Sequence, residues 1–153
     1  MGEVVPRNGL ERAVVALALR VHTARVSYGG ADRLDITRKS APPEGIAFAP
    51  SWAILNPALT ILRGAVALQQ TGDGEMQIRA TLVAGAAWDL YREAYTMEMR
   101  ESYRRSRPAW DALLARESVT LVCYCTDPAR CHRTVLASIL AKLGAINEGE
   151  RHG

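Results

Sequence analysis

Residues 119–143 read VTLVCYCTDPARCHRTVLASILAKL, and this stretch decides the fold. Val119, Thr120, Leu121 and Val122 form a β-branched, apolar run, the composition of a strand covered on both faces. Cys123, Tyr124 and Cys125 carry that run to its end. Asp127 is a capping residue and Pro128 suits the first position of a helix, so the strand stops and a helix starts here. From Cys131 onward, Val135, Leu136, Ile139, Leu140 and Leu143 recur at helical spacing, and Gly144 closes the run as a C-terminal cap. The carboxyl end of a parallel strand feeding a helix N-terminus is where open α/β folds hold their chemistry. Cys125, Arg130, Cys131, His132 and Arg133 sit there.

The chain has 153 residues, 48% hydrophobic and 23% charged, which is a single-domain length with enough apolar material for a core. A formal charge of +3 permits a phosphate-bearing partner without requiring one. Three cysteines cannot pair completely, and two of them lie two residues apart. That points to a reduced, cytoplasmic protein whose thiols are free, catalytic or metal-bound. No apolar run approaches the roughly 18–20 residues that cross a membrane, so no membrane partner is expected. The run at residues 13–19 lies between Arg12 and Arg20 and lacks a cleavage pattern, so it is not read as a signal peptide.

Residues 1–19 are expected to be an N-terminal extension, 20–146 a single α/β domain, and 147–153 a C-terminal tail. Alternation over residues 20–28 predicts a strand ending at the Gly29-Gly30 turn, and 32–37 a short extended segment. Ser51 is a helix cap, with Asn56-Pro57 interrupting the helix it starts. Residues 75–85 fit neither period. Residues 87–107 give the clearest helix: Trp88, Tyr91, Tyr95, Met99 and Tyr103 fall on one face, and Pro108 ends it. A shorter helix follows over 109–117. Strand, helices, strand, helix is the order of a layered α/β fold.

A thiol attacks as its thiolate, and a helix N-terminus or nearby cations favour that form. Cys125 or Cys131 is therefore the candidate nucleophile and His132 the acid/base or the neighbour that activates it. Arg130 and Arg133 are candidates to hold an anion with the orphan N–H groups of the helix start. The plainer alternative is that the cysteines are small buried hydrophobes. Zinc is a third reading, since Cys123, Cys125, Cys131 and His132 are all ligand types. It is set aside here: C-x-C-x5-C-H is not a zinc-knuckle spacing, and Cys131 and His132 on one helix would point about 100° apart. No metal and no other cofactor is expected. The loop also departs from the phosphatase cradle C-x5-R, because Arg130 comes one position early. Arg100, Arg104 and Arg107 could meet nucleic-acid phosphates, but they read as a solvated face partly neutralised by Glu93, Glu98 and Glu101, and the aromatic stripe reads as core.

Together, four stretches resemble the prokaryotic and phage family called domain of unknown function 488 (DUF488). They are Tyr28-Gly29-Gly30-Ala31-Asp32-Arg33-Leu34-Asp35-Ile36-Thr37, Phe48-Ala49-Pro50-Ser51-Trp52, residues 91–110, and the quoted stretch with Cys131-His132-Arg133. The resemblance covers roughly residues 20–145, with 59–84 looking like a helical insertion. It implies a three-layer, Rossmann-like sandwich with a mainly parallel sheet. It also carries over Asp32, Arg33, Asp35, Ser51 and Trp52 as substrate-binding positions beside Cys125, Cys131, His132 and Arg133. The expected function is a small enzyme acting on a nucleotide, a nucleic acid or another phosphorylated compound. The alternatives are a nucleotide- or nucleic-acid-binding module with structural cysteines, and a zinc-stabilised domain. The oligomeric state is not legible.

Overall fold

The computed structural model describes residues 18–71 and 73–152. Its strands are β1 (Arg20–Arg25), β2 (Arg33–Asp35), β3 (Ser118–Cys123) and β4 (Ile146–Glu150). They form one sheet in the order β2-β3-β1-β4, with every neighbouring pair parallel. The helices are α1 (Trp52–Thr71), α2 (Gly74–Arg105), α3 (Arg107–Leu114) and α4 (His132–Lys142). The expected α/β class and parallel sheet are both present.

β3 lies inside the sheet, between β2 and β1, and Val119 to Cys123 are all buried, which is why this strand is apolar at nearly every position. Its register with β1 pairs Val21 with Val119 and Thr23 with Leu121. Val21, Val119 and Leu121 join Leu136 and Leu140 of α4 and Tyr95 and Met99 of α2 in the main core. Arg151 reaches the sheet as well, donating from Nε to Thr120 Oγ1 at 3.1 Å and from its terminal nitrogen to His22 Nδ1 at 3.3 Å.

The core and the sheet include residues on both sides of 20–146. Leu19, assigned to the extension, is buried in the core, and its carbonyl accepts from the Ile146 N–H at 2.8 Å. Residues 1–17 lie outside the described residues. Residues 147–150 of the expected tail complete β4, whose sequence INEGE has a single apolar residue. An edge strand needs no apolar run, and charge on it discourages further pairing, so its hydropathy hid it.

Two helices also exceed their sequence limits. α1 runs straight through Pro57. The missing N–H costs one bond near the helix start, where Ala53 and Pro57 are both exposed. α2 begins at Gly74, capped by Asp73, whose carboxylate accepts from the Met76 N–H at 3.0 Å. The ambiguous residues 75–85 are therefore helical. Their side of α2 packs on α1 through small residues, Ala65, Ala80 and Ala84 with Leu62, which give a weak periodic signal.

The second half of α2 positions the site. Tyr95 donates to the Phe48 carbonyl at 2.7 Å, and Ser102 to the Ala47 carbonyl at 2.6 Å. These bonds tie the short 3-10 turn Ile46–Phe48 to α2 and set where Ser51 and Trp52 begin α1. Glu98 then accepts from both the N–H and the hydroxyl of Ser51. The arginine stripe is largely paired: Arg104 and Arg105 meet Glu101 at 3.9 and 2.7 Å, and Arg107 meets Asp111 at 3.0 Å. Among the described residues, no helix is long and apolar enough to cross a membrane.

Candidate active site

The site is built where β3 and β2 end and α4 begins. Cys123 is the last residue of β3, and Cys125 lies in the loop that follows. Asp127 caps the 3-10 turn Pro128–Arg130, accepting from the Ala129 N–H at 2.9 Å. Cys131 is then extended (φ −141°, ψ 144°), and α4 starts at His132. This extended residue matters. Because Cys131 is outside the helix, its sulfur and the His132 ring turn to the same side, with Sγ 4.0 Å from Nδ1. The objection that adjacent helical residues diverge does not apply here.

The three sulfurs lie within 4.8 Å of one another, with Cys123 and Cys125 at 3.7 Å. His132 Nδ1 is 3.6 Å from the Cys123 sulfur, while Nε2 faces the Ile36 carbonyl at 2.9 Å. A carbonyl can only accept, so Nε2 carries the proton and the Nδ1 lone pair faces the sulfurs. Burial lowers the His132 pKa, which keeps the ring neutral. Tyr95 lies edge-on to that ring at 5.3 Å.

Arg133 is wholly buried behind the cluster. It donates from Nε and a terminal nitrogen to the two oxygens of Glu150 at 3.1 and 2.9 Å. Its other terminal nitrogen donates to the Cys125 carbonyl at 2.8 Å and to the Cys131 sulfur at 3.2 Å. Burial opposes this charge, but the Glu150 bonds outweigh it and raise the Arg133 pKa. Burial likewise acts to raise Glu150, and the hydrogen bonds from Arg133 and Thr23 hold it below the usual range.

The thiols are not equivalent. The hydrogen bond to Cys125 pushes the Cys123 thiol up, and burial pushes Cys131 up. Cys125 is held low by the Cys123 and Cys131 hydrogen bonds, which outweigh burial, with the Arg133 charge adding to them. It is also the only one of the three that is not buried. Of the two thiols named as candidate nucleophiles, Cys125 alone has access to solvent.

Cys125 opens into a cavity of about 220 Å³. Trp52, Trp88 and Tyr91 line its walls, and Arg38, Lys39 and Arg130 also border it. The Tyr91 hydroxyl is the one buried side-chain polar atom among the described residues without a hydrogen-bond partner. Burial raises its pKa, so it is a phenol with a proton to donate. A larger open groove of about 530 Å³ runs between α2 and α4, but no cysteine or histidine lines it.

The structure thus gathers Cys125, Cys131, His132, Arg130 and Trp52 around one cavity. The other expected substrate-binding residues go elsewhere. Arg133 is wholly buried against Glu150, Cys125 and Cys131 and does not line the cavity. Asp35 is buried and accepts from Thr37 and Ser40, so it shapes the turn that carries Arg38 and Lys39. Ser51 is bound to Glu98. Asp32 and Arg33 stand at the amino end of β2, and neither lines the cavity. Asp32 accepts from Tyr28, Ser118 and Thr120 there, and Arg33 donates to the Tyr28 and Val26 carbonyls.

Sequence reasoning missed Glu150, the Ile36 carbonyl, Tyr91 as a cavity wall, and the Arg38-Lys39 pair. A glutamate in a polar C-terminal strand carries no local signal. Tyr91 was visible only as one member of an apolar stripe.

A parallel α/β domain with a cysteine–histidine–arginine cluster at its strand ends defines the class. Residues 76–144 match the family model described as DUF488-N3a, the active DUF488-N3 subclade, and this match supports a DUF488-family domain. The match begins inside the segment expected as an insertion and includes the whole thiol loop. The Tyr28–Thr37 and Phe48–Trp52 stretches lie outside it. No curated protein and no solved structure matches this chain.

Proposed function

We propose that this domain is an enzyme of a reducing, cytoplasmic compartment that acts on a nucleotide, free or within a nucleic acid, seated above the thiol cluster. One observation carries the reading. A single cavity combines aromatic walls, a cationic border, an unpartnered buried phenol and the one accessible thiol of the cluster. Flat rings stack on Trp52 and Trp88, and phosphate oxygens suit Arg38, Lys39 and Arg130. The Tyr91 hydroxyl supplies a donor in a dry setting, where leaving it unmatched costs about 1–3 kcal/mol. The substrate's reacting end then lies at Cys125, beside Cys131 and His132. The matched model is the one described as active, which favours an enzyme over a binding module.

Calorimetric titration of nucleoside phosphates and short oligonucleotides tests the reading, with product detection for whichever binds. Trp52 is half exposed, so Trp52→Ala leaves stability nearly unchanged. It weakens binding about 5- to 150-fold, the equivalent of one lost stacking contact. Absence of binding by any phosphorylated ring compound sinks the proposal. Binding without turnover leaves the binding module in its place.

A further inference from the structure

We propose that Cys123, Cys125, Cys131 and His132 form a zinc site beneath the cavity, three thiolates and one imidazole around a single ion. The inference rests on the geometry of the cluster and not on what occupies the cavity.

Tetrahedral zinc with thiolates at about 2.3 Å places its sulfurs about 3.8 Å apart, and sulfur and imidazole nitrogen about 3.6 Å apart. The Cys123–Cys125 separation is 3.7 Å, and all three sulfurs lie within 4.8 Å of one another. His132 Nδ1 stands 3.6 Å from the Cys123 sulfur and 4.0 Å from the Cys131 sulfur. The Cys123–Cys125 and Cys123–His132 edges equal those of a coordination tetrahedron to about 0.1 Å, and the Cys131–His132 edge is slightly longer.

The surroundings match a metal centre as well. A ligating histidine usually gives its second ring N–H to a carbonyl or carboxylate, which fixes the tautomer and aims the free lone pair. The Ile36 carbonyl does this at 2.9 Å. Thiolate ligands are commonly held by N–H donors. The Arg133 guanidinium meets the Cys131 sulfur at 3.2 Å and is itself locked by Glu150. Three thiolates and a divalent ion leave one negative charge, which the buried guanidinium faces. Soft sulfur donors with an imidazole select zinc over magnesium or calcium, which take oxygen. Binding forms three S–Zn bonds and one N–Zn bond, and each thiol still protonated releases its proton to solvent. Cys125, at the cavity floor, lies on the route by which the ion enters. In the loaded protein it is a ligand, and three thiolates with one imidazole fill the four positions of a structural zinc site.

The full chain, purified from zinc-supplemented cells, is assayed for metal by mass spectrometry and for thiols by a disulfide-exchange dye. One zinc per chain is expected, with all three thiols silent until a chelator is added. Cobalt substitution should give the intense visible bands of a tetrahedral site with thiolate charge transfer in the near ultraviolet. Cys125→Ser, at the least buried ligand, lowers zinc affinity at least 10-fold while circular dichroism reports the native helix content. A folded wild-type chain that takes up no zinc or cobalt, with its thiols free without chelator, overturns the site. So does octahedral, thiolate-free cobalt. Nucleotide titration of the same preparations keeps the two proposals apart, because either can fail while the other stands.

Discussion

Arg133 is a buried cation whose fork is closed on Glu150, so a residue at the far end of the chain holds the thiol loop in place. Removing one partner of such a pair leaves the other charge unmatched in a dry interior. Glu150→Leu leaves the wholly buried Arg133 without its carboxylate and therefore costs about 3–5 kcal/mol of unfolding free energy in denaturant titration. The double variant Arg133→Met with Glu150→Leu recovers most of that loss, because no lone charge remains. If the double variant is as unstable as the single, the guanidinium's bonds to the loop matter more than the pair. As a residue type, Arg133 was readable as a cation in the reactive loop. That it turns inward was not readable, since its acceptor lies 17 positions away on a strand with no apolar signature.

At the scale of elements, α4 is the part most fully written in the sequence. Gly144 follows its last turn at φ +108°, the Gly144 N–H bonds the Ala141 carbonyl at 3.1 Å, and the Ala145 N–H bonds the Leu140 carbonyl at 3.0 Å. This is a Schellman cap, and it turns the chain directly into β4. A Cβ at Gly144 would meet nothing within 4 Å, so the cost of substitution is backbone strain alone. Gly144→Ala is expected to destabilise by about 1–2 kcal/mol in thermal or denaturant unfolding, without altering the cavity. At its other end, α4 departs from the sequence pattern. Asp127-Pro128 starts a 3-10 turn, and the extended Cys131 separates it from the helix. Helical periodicity cannot register one residue out of phase, although that residue brings Cys131 and His132 together.

For the whole molecule, the sheet has a chemical end and a fastening end. At the fastening end, Asp32 accepts from Tyr28 at 2.6 Å, Ser118 at 2.6 Å and Thr120 at 2.9 Å, and lies 3.8 Å from Arg151. Burial acts to raise its pKa. The hydrogen bonds from Ser118, Tyr28 and Thr120, with the Arg151 charge, outweigh burial and bring it down to about 2. A carboxylate depressed on folding stabilises fully above its unfolded value, about 3.9, and that contribution disappears as pH falls toward 2. Asp32→Asn mimics the protonated form. The variant is therefore less stable than the wild type at neutral pH, and the gap closes on acidification from pH 4 to 2 in denaturant titrations. A gap that stays constant across that range contradicts the assignment.

What the sequence determined by itself was local and periodic: an apolar strand, a turn rich in thiols and cations, a capped helix, and so the α/β class and the address of the site. Those features depend on neighbours within a few positions, which the order of residues states directly. Tertiary structure decided which residues converge. Parallel pairing brought Ile36 against His132 and Glu150 against Arg133, while α2 delivered Tyr91 and Trp88 to the cavity walls. The same pairing left Asp32 and Arg33 at the amino end of β2, outside the cavity lining. Such contacts are set by strand order and register. Those follow from how the whole core is buried, and no single stretch of this chain encodes them.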